Sequence, residues 1–220
     1  MRAAALTNRK LKRAVKRARR RARANGSPKK IPLQTRSRTI LKTLYLIRAP
    51  LVLMQLVASI AAHPVLGSFV EYPRQDFAEY YSGKMEITKR FWEDGSFALP
   101  FDISYDSTYM NMVGDDGFVY ALVMALNCID GGASVMAIVC SSYVYINRAT
   151  SGRSRHAPLG NTHLEYVASS NVMGSRTVLL MFLFAAIGAF CILEQPKGSS
   201  KREAHMFLTF PCNSVKQMAA

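Results

Sequence analysis

The residues best suited to chemistry in this chain lie in one apolar run, 117–146, whose single charged residue is Asp130. On a helical wheel Tyr120, Asn127, Asp130, Gly131 and Ser134 fall within about a third of the circumference. An acid inside such a run is costly, and it marks an ion or proton pathway when further acids can relay to it. No second acid lies in the run. Asn127, Asp130 and Ser134 therefore read as an intramembrane polar contact between helices rather than as a relay. His63 stands on an apolar stretch with no second His or Cys at ligand spacing, which argues against a metal. The four cysteines, Cys128, Cys140, Cys191 and Cys212, make no C-x-x-C, no disulfide framework and no arrangement with His that suits a nucleophile. The chain has no Walker loop, no G-x-G-x-x-G and no H-E-x-x-H. The expectation is a non-enzymatic protein with no cofactor-binding, catalytic or metal-ligating residues.

The elements that would position these residues follow from the charge pattern. The 220 residues carry Lys+Arg 29 against Asp+Glu 14, a net charge of +15, with 50% hydrophobic residues. That charge is not spread evenly. Residues 1–38 hold fifteen Lys/Arg and no acid, whereas residues 71–116 hold ten Asp/Glu against four Lys/Arg. Charge segregated in this way between long apolar runs is the pattern of a membrane protein, and it excludes a disordered chain, a collagen and a disulfide-dense secreted domain.

Segment 1–38 is too basic to form an amphipathic helix, and Asn25-Gly26-Ser27-Pro28 breaks any helix there. No apolar run follows at the distance a secretory signal needs. An Arg-rich, acid-free segment also fits an organellar presequence or a nucleic-acid patch. The reading adopted is a cytosolic polybasic tail held near anionic lipid, with Arg19, Arg20, Arg21 and Arg23 at its centre. Lys42 and Arg48 then snorkel to headgroups at the start of the first span. Nucleic acid is not expected as a partner.

Three apolar runs predict three spans, at about 44–68, 117–146 and 173–193. The first, 49–70, has no charge over 22 residues, about 33 Å as helix. The third reaches back toward Leu164 if Arg176 finds a polar partner. Ala121, Ala125, Cys128 and Gly132 place small residues at i, i+4, i+7 and i+11, and Ala185 and Ala189 repeat the pattern, as close helix packing in lipid favours. Basic segments on both sides of the first two spans put the tail and loop 147–172 in the cytosol, with loop 71–116 in the lumen. Residues 39–193 form the transmembrane domain, and 194–220 form a short lumenal tail. Within the lumenal loop, period-two alternation before and after Glu93-Asp94-Gly95-Ser96 predicts a β-hairpin over about 84–105, with Pro100 suggesting an edge. The predicted fold class is an all-α membrane helical bundle of three spans with a small lumenal β-hairpin.

Several short segments, in order, resemble the synaptophysin/synaptogyrin (physin) family of MARVEL-type membrane proteins. Residues 47–61 (IRAPLVLMQLVASIA) resemble the basic-x-Pro entry into the family's first helix. Residues 80–87 (YYSGKMEI) and 97–105 (FALPFDISY) are similar to its lumenal strands. Residues 112–126 (MVGDDGFVYALVMAL) resemble the entry into its second helix, and 163–170 (HLEYVASS) the opening of its third. The likeness covers about residues 44–193. The family's lumenal cysteines have no counterpart in 71–116, and its fourth span has none after residue 193. The resemblance implies a divergent or truncated member. It would be a multi-pass protein of transport or synaptic-like vesicles, structural or trafficking in role, forming homo-oligomers or binding other vesicle membrane proteins. The alternatives are an accessory membrane subunit of a mitochondrial complex and a claudin-like adhesion or channel-modulating protein.

Overall fold

The computed structural model describes residues 33–71, 73–139, 142–143, 147–154 and 156–194. Its centre is a parallel four-stranded sheet in the order β2-β1-β3-β4, made of β1 (Gln75–Tyr80), β2 (Ala98–Phe101), β3 (Cys128–Met136) and β4 (Phe190–Leu193). The helices are α1 (Leu33–Leu46), α2 (Leu51–Ala62), α3 (Leu66–Glu71), α4 (Glu86–Glu93), α5 (Asp115–Leu126), α6 (Arg148–Ser151) and α7 (Glu165–Ile187). This is an α/β architecture, and it replaces the all-α three-span bundle expected from the sequence.

Each departure has a local cause. The run 117–146 does not continue as helix beyond α5, which stops at Leu126 with Asn127 as its C-cap. Gly131-Gly132 follows, and Gly131 takes φ 75°, which L side chains avoid. The chain turns extended and becomes β3. The four residues 129–132 bulge out of register, so that Gln75 pairs with Cys128 and Phe77 with Ala133. The first apolar run is divided at His63-Pro64, where Pro cannot continue a helix. The resulting α2 has 12 residues, about 18 Å long, too short to cross a bilayer. The predicted hairpin is absent too. Residues 86–93 are helical, with Lys89–Glu86 and Arg90–Glu93 paired one turn apart, and β2 runs parallel to β1 as the edge strand containing Pro100.

Helices cover both faces of the sheet, so alternate strand residues belong to different cores. Phe77, Ala98, Ala133 and Val135 point to the α4 side, where Phe77 stacks on Phe91 with ring centroids 4.0 Å apart and planes 7° from parallel. The neighbouring Glu79 is buried there, and its carboxylate accepts bonds from the backbone N–H and hydroxyl of Thr88 on α4. Ala78, Tyr80, Phe101 and Met136 point to the opposite side, into the larger core with α1, α2, α5 and α7. Tyr80 is fully buried and its hydroxyl donates to the Ala121 carbonyl at 2.9 Å.

Among the described residues α7 alone is long and apolar enough to cross a membrane. Its position is that of a core helix. Leu180, Leu183 and Phe184 are fully buried, and Arg176 bonds the Met112, Val113 and Gly114 carbonyls at 2.7–3.0 Å and pairs with Asp115 at the start of α5. The helix begins at Glu165, close to where the sequence allowed the third run to start, and ends at Gly188, which adopts the left-handed C-cap at φ 81°.

Candidate functional site

The residues singled out from the sequence scatter when the chain folds. Ala121 and Ala125 are buried on α5, but Cys128 and Gly132 lie on β3, so the four-residue small stripe does not exist. Ala185 is on α7 and Ala189 beyond its cap. The intramembrane polar contact disperses likewise. The Asn127 side-chain oxygen accepts the Arg74 N–H at 3.2 Å, and the Ser134 hydroxyl donates to the Phe190 carbonyl at 3.4 Å within the sheet. Asp130 is exposed on the bulge beside Gly188. It is not an acid held inside an apolar span. Arg19, Arg20, Arg21 and Arg23 lie outside the described residues.

Lys42 and Arg48 do lie on one feature, the hairpin of α1 and α2. Arg48 occupies the turn between them at φ 54° and is exposed, as is Lys42. On α2, Leu53, Val57 and Ile60 recur at i, i+4 and i+7 and face inward. The opposite stripe is Leu51, Gln55, Ala58 and Ala62, flanked by Val52 and Ser59, and all six are exposed. At the α1–α2 corner Tyr45 is 71% exposed, Leu46 60%, Leu51 67% and Val52 51%. An apolar cluster of this kind marks an interaction surface more often than a solvated one.

The hairpin is fixed from within by Arg36. Its guanidinium donates to the carbonyls of Val70, Leu126 and Cys128 at 2.6, 2.6 and 2.7 Å. Val70 and Leu126 stand in the last turns of α3 and α5, where carbonyls have no partner within the helix and the dipole favours a cation. A second buried guanidinium, Arg153, ties a loop together instead: it donates to the Pro158 carbonyl, the Ser142 hydroxyl and the Asn171 side-chain oxygen, and lies 4.0 Å over the Tyr143 ring. Sequence reasoning missed Arg36 and Arg153. Three of these anchors (Arg36, Arg153 and Arg176) look like ordinary surface charge in a linear chain, since their acceptors are mostly backbone carbonyls distant in sequence. No family model, curated protein or solved structure matches this chain.

Among the described residues no three His, Cys, Asp or Glu are grouped so as to hold a metal. Burial pushes the Cys128 thiol up to about 12, so it is protonated at neutral pH and a poor nucleophile. What the α1–α2 surface offers is apolar contact beside positive charge. The first seventy residues of the chain contain seventeen Lys/Arg and no Asp or Glu.

Proposed function

We propose that this chain is a non-enzymatic peripheral membrane protein, an α/β domain that rests on anionic lipid through the α1–α2 corner and the basic segment preceding it. The observation that carries this reading is the exposed group Tyr45, Leu46, Leu51 and Val52, close in sequence to Lys42 and Arg48 in a seventy-residue stretch free of acids. Apolar side chains at such a corner insert into the headgroup–acyl boundary, while Lys and Arg add about 1 kcal/mol each near an anionic surface. The acidic residues come later in the chain, from Glu71 onward, so nothing within the first seventy residues opposes that attraction. The cytosolic leaflet, which carries the anionic lipid, is the surface that fits. The vesicle and trafficking roles rest on the physin resemblance alone.

The test is co-sedimentation of the full chain with phosphatidylserine-containing vesicles and with phosphatidylcholine vesicles. Binding to the first and not the second is expected, together with a marked loss in the double variant Leu51→Asp, Val52→Asp. Both residues are more than half exposed, so the variant keeps its fold. Equal binding by the double variant overturns the role given to this corner.

A further inference from the structure

A cavity of about 490 Å³ opens beside α5, away from the polar clusters already described. Its apolar wall is formed by Leu66, Leu99, Val119, Val123 and Met124. That volume lies within the usual range for small-molecule sites, which are mostly apolar with a few placed polar groups. Here those groups are Tyr109, Tyr120, Asp116 and Asn127. Asn127 already accepts the Arg74 N–H through its side-chain oxygen. Tyr109 donates its backbone N–H to Asp106, which leaves its hydroxyl, the Tyr120 hydroxyl and the Asp116 carboxylate facing the cavity with no protein hydrogen bond or ion pair among the described residues. Tyr120 packs its ring on Phe101 at 6.2 Å, which fixes the phenol against the wall, and burial raises its pKa, so it stays a neutral donor and acceptor. Asp116 is exposed at the rim and is the one charged residue lining the cavity.

The chemistry that matches this lining is an apolar body carrying a cation. We infer that the cavity is a binding site for a hydrophobic amine, its apolar part against Val119, Val123 and Leu99 and its ammonium at Asp116 and the Tyr109 hydroxyl. The sign of the site runs against that of the molecule. A chain of net +15 attracts anions non-specifically, so selective uptake of a cation isolates the contribution of Asp116. The inference is independent of the membrane reading, since α5 and the cavity's rim lie outside the α1–α2 corner.

The probe is dansylcadaverine, a fluorescent primary amine, compared with a dansylated carboxylic acid of equal chain length, both titrated into the full chain at physiological salt. Saturable binding of the amine, one per chain and about ten-fold tighter than the acid, is expected. Asp116→Asn changes an exposed residue and leaves the fold intact. It should reduce the preference for amine over acid about three- to five-fold, the size of one exposed ion pair. Val119→Trp fills the cavity and should abolish binding of both probes. If this variant fails to fold, Asp116→Asn decides alone. Equal affinity for amine and acid in the unsubstituted chain, a preference untouched by Asp116→Asn, or full binding by folded Val119→Trp would each overturn the site.

Discussion

The Arg36 guanidinium lies 2.6 Å from the carbonyl oxygen of Leu126, ninety residues along the chain and the last residue of α5. The bond joins the hairpin proposed to meet lipid to the helix that lines the cavity. It also closes a helix end that is otherwise left with unpaired carbonyls at the edge of the core. Burial lowers the Arg36 pKa, opposed by the nearby Cys128 and Asp130, yet a guanidinium remains charged throughout the accessible range.

Arg36→Met is expected to destabilise the fold by about 2–3 kcal/mol, because the three carbonyls lose their donor while staying largely shielded from water. Arg36→Lys should recover part of that loss, since an ammonium cannot span three acceptors as a planar fork does. The urea midpoint at constant slope is the measurement. Equal midpoints for Arg36→Met and the unsubstituted chain would show that the clamp is incidental.

Stability is expected to fall at alkaline pH. The Cys128 thiol is raised from 9.0 to about 12 by burial, so it stays neutral in the fold while the unfolded chain ionises. Its contribution is complete below pH 9 and drains away as pH climbs toward 12. Tyr80, also raised by burial, adds a second loss above its ordinary value of 10. Thermal unfolding across pH 7–11 should therefore show Cys128→Ala delaying the onset of alkaline loss from about pH 9 to about pH 10.

Asp130→Lys distinguishes the α/β fold from a helical bundle. Inside a membrane span an unpaired lysine costs about 2.5–3.5 kcal/mol. On the exposed bulge of β3 the same change should cost less than about 1 kcal/mol, most of it from repulsion of Arg36. Soluble expression with a near-normal melting temperature is the expected result. Loss of the folded protein would contradict the placement of Asp130.

Vesicle binding should divide into two components. Reversing Arg19, Arg20, Arg21 and Arg23 to Glu should roughly halve the positive charge of residues 1–38 and weaken the salt-sensitive part, which in the unsubstituted chain is largely screened at about 0.5 M salt. The part due to Leu51 and Val52 should persist at that ionic strength. Low-salt binding by the charge-reversed chain equal to that of the unsubstituted chain would place the electrostatic contact elsewhere.

Three of the helices were legible in the sequence as apolar runs, while most other elements and the way they assemble were not. The apolar runs correctly located α2, α5 and α7, and the early start of α7 near Leu164 was within reach. Their lengths misled. A run that is apolar on every face describes a buried parallel strand as well as a membrane helix, and 117–146 contains a helix and then such a strand. The Gly131-Gly132 pair is the available signal for the change, but on a helical wheel Gly131 falls in the polar stripe and Gly132 in the small-residue stripe, so the pair does not read as a break. Parallel pairing also escapes local reading, because β1 and β2 lack the tight turn by which a hairpin announces itself. At the surface, Lys42 and Arg48 were legible as exposed charges. Arg36 was not, because its partners Val70, Leu126 and Cys128 carry no complementary side-chain charge.

The strand order β2-β1-β3-β4 also sets a timetable for synthesis. Phe77 pairs with Ala98, twenty-one residues later, and with Ala133, fifty-six residues later, while Ala133 in turn pairs with Phe190 after another fifty-seven. At ribosomal speeds of about 5–20 residues per second, β1 waits roughly 3–11 s for β3 and β3 about as long for β4. During each interval an apolar strand edge stands open, in a topology whose distant pairings already make folding slow. The basic, acid-free stretch therefore emerges while the sheet is still unfinished, and those edges stay open until Leu193 has left the tunnel.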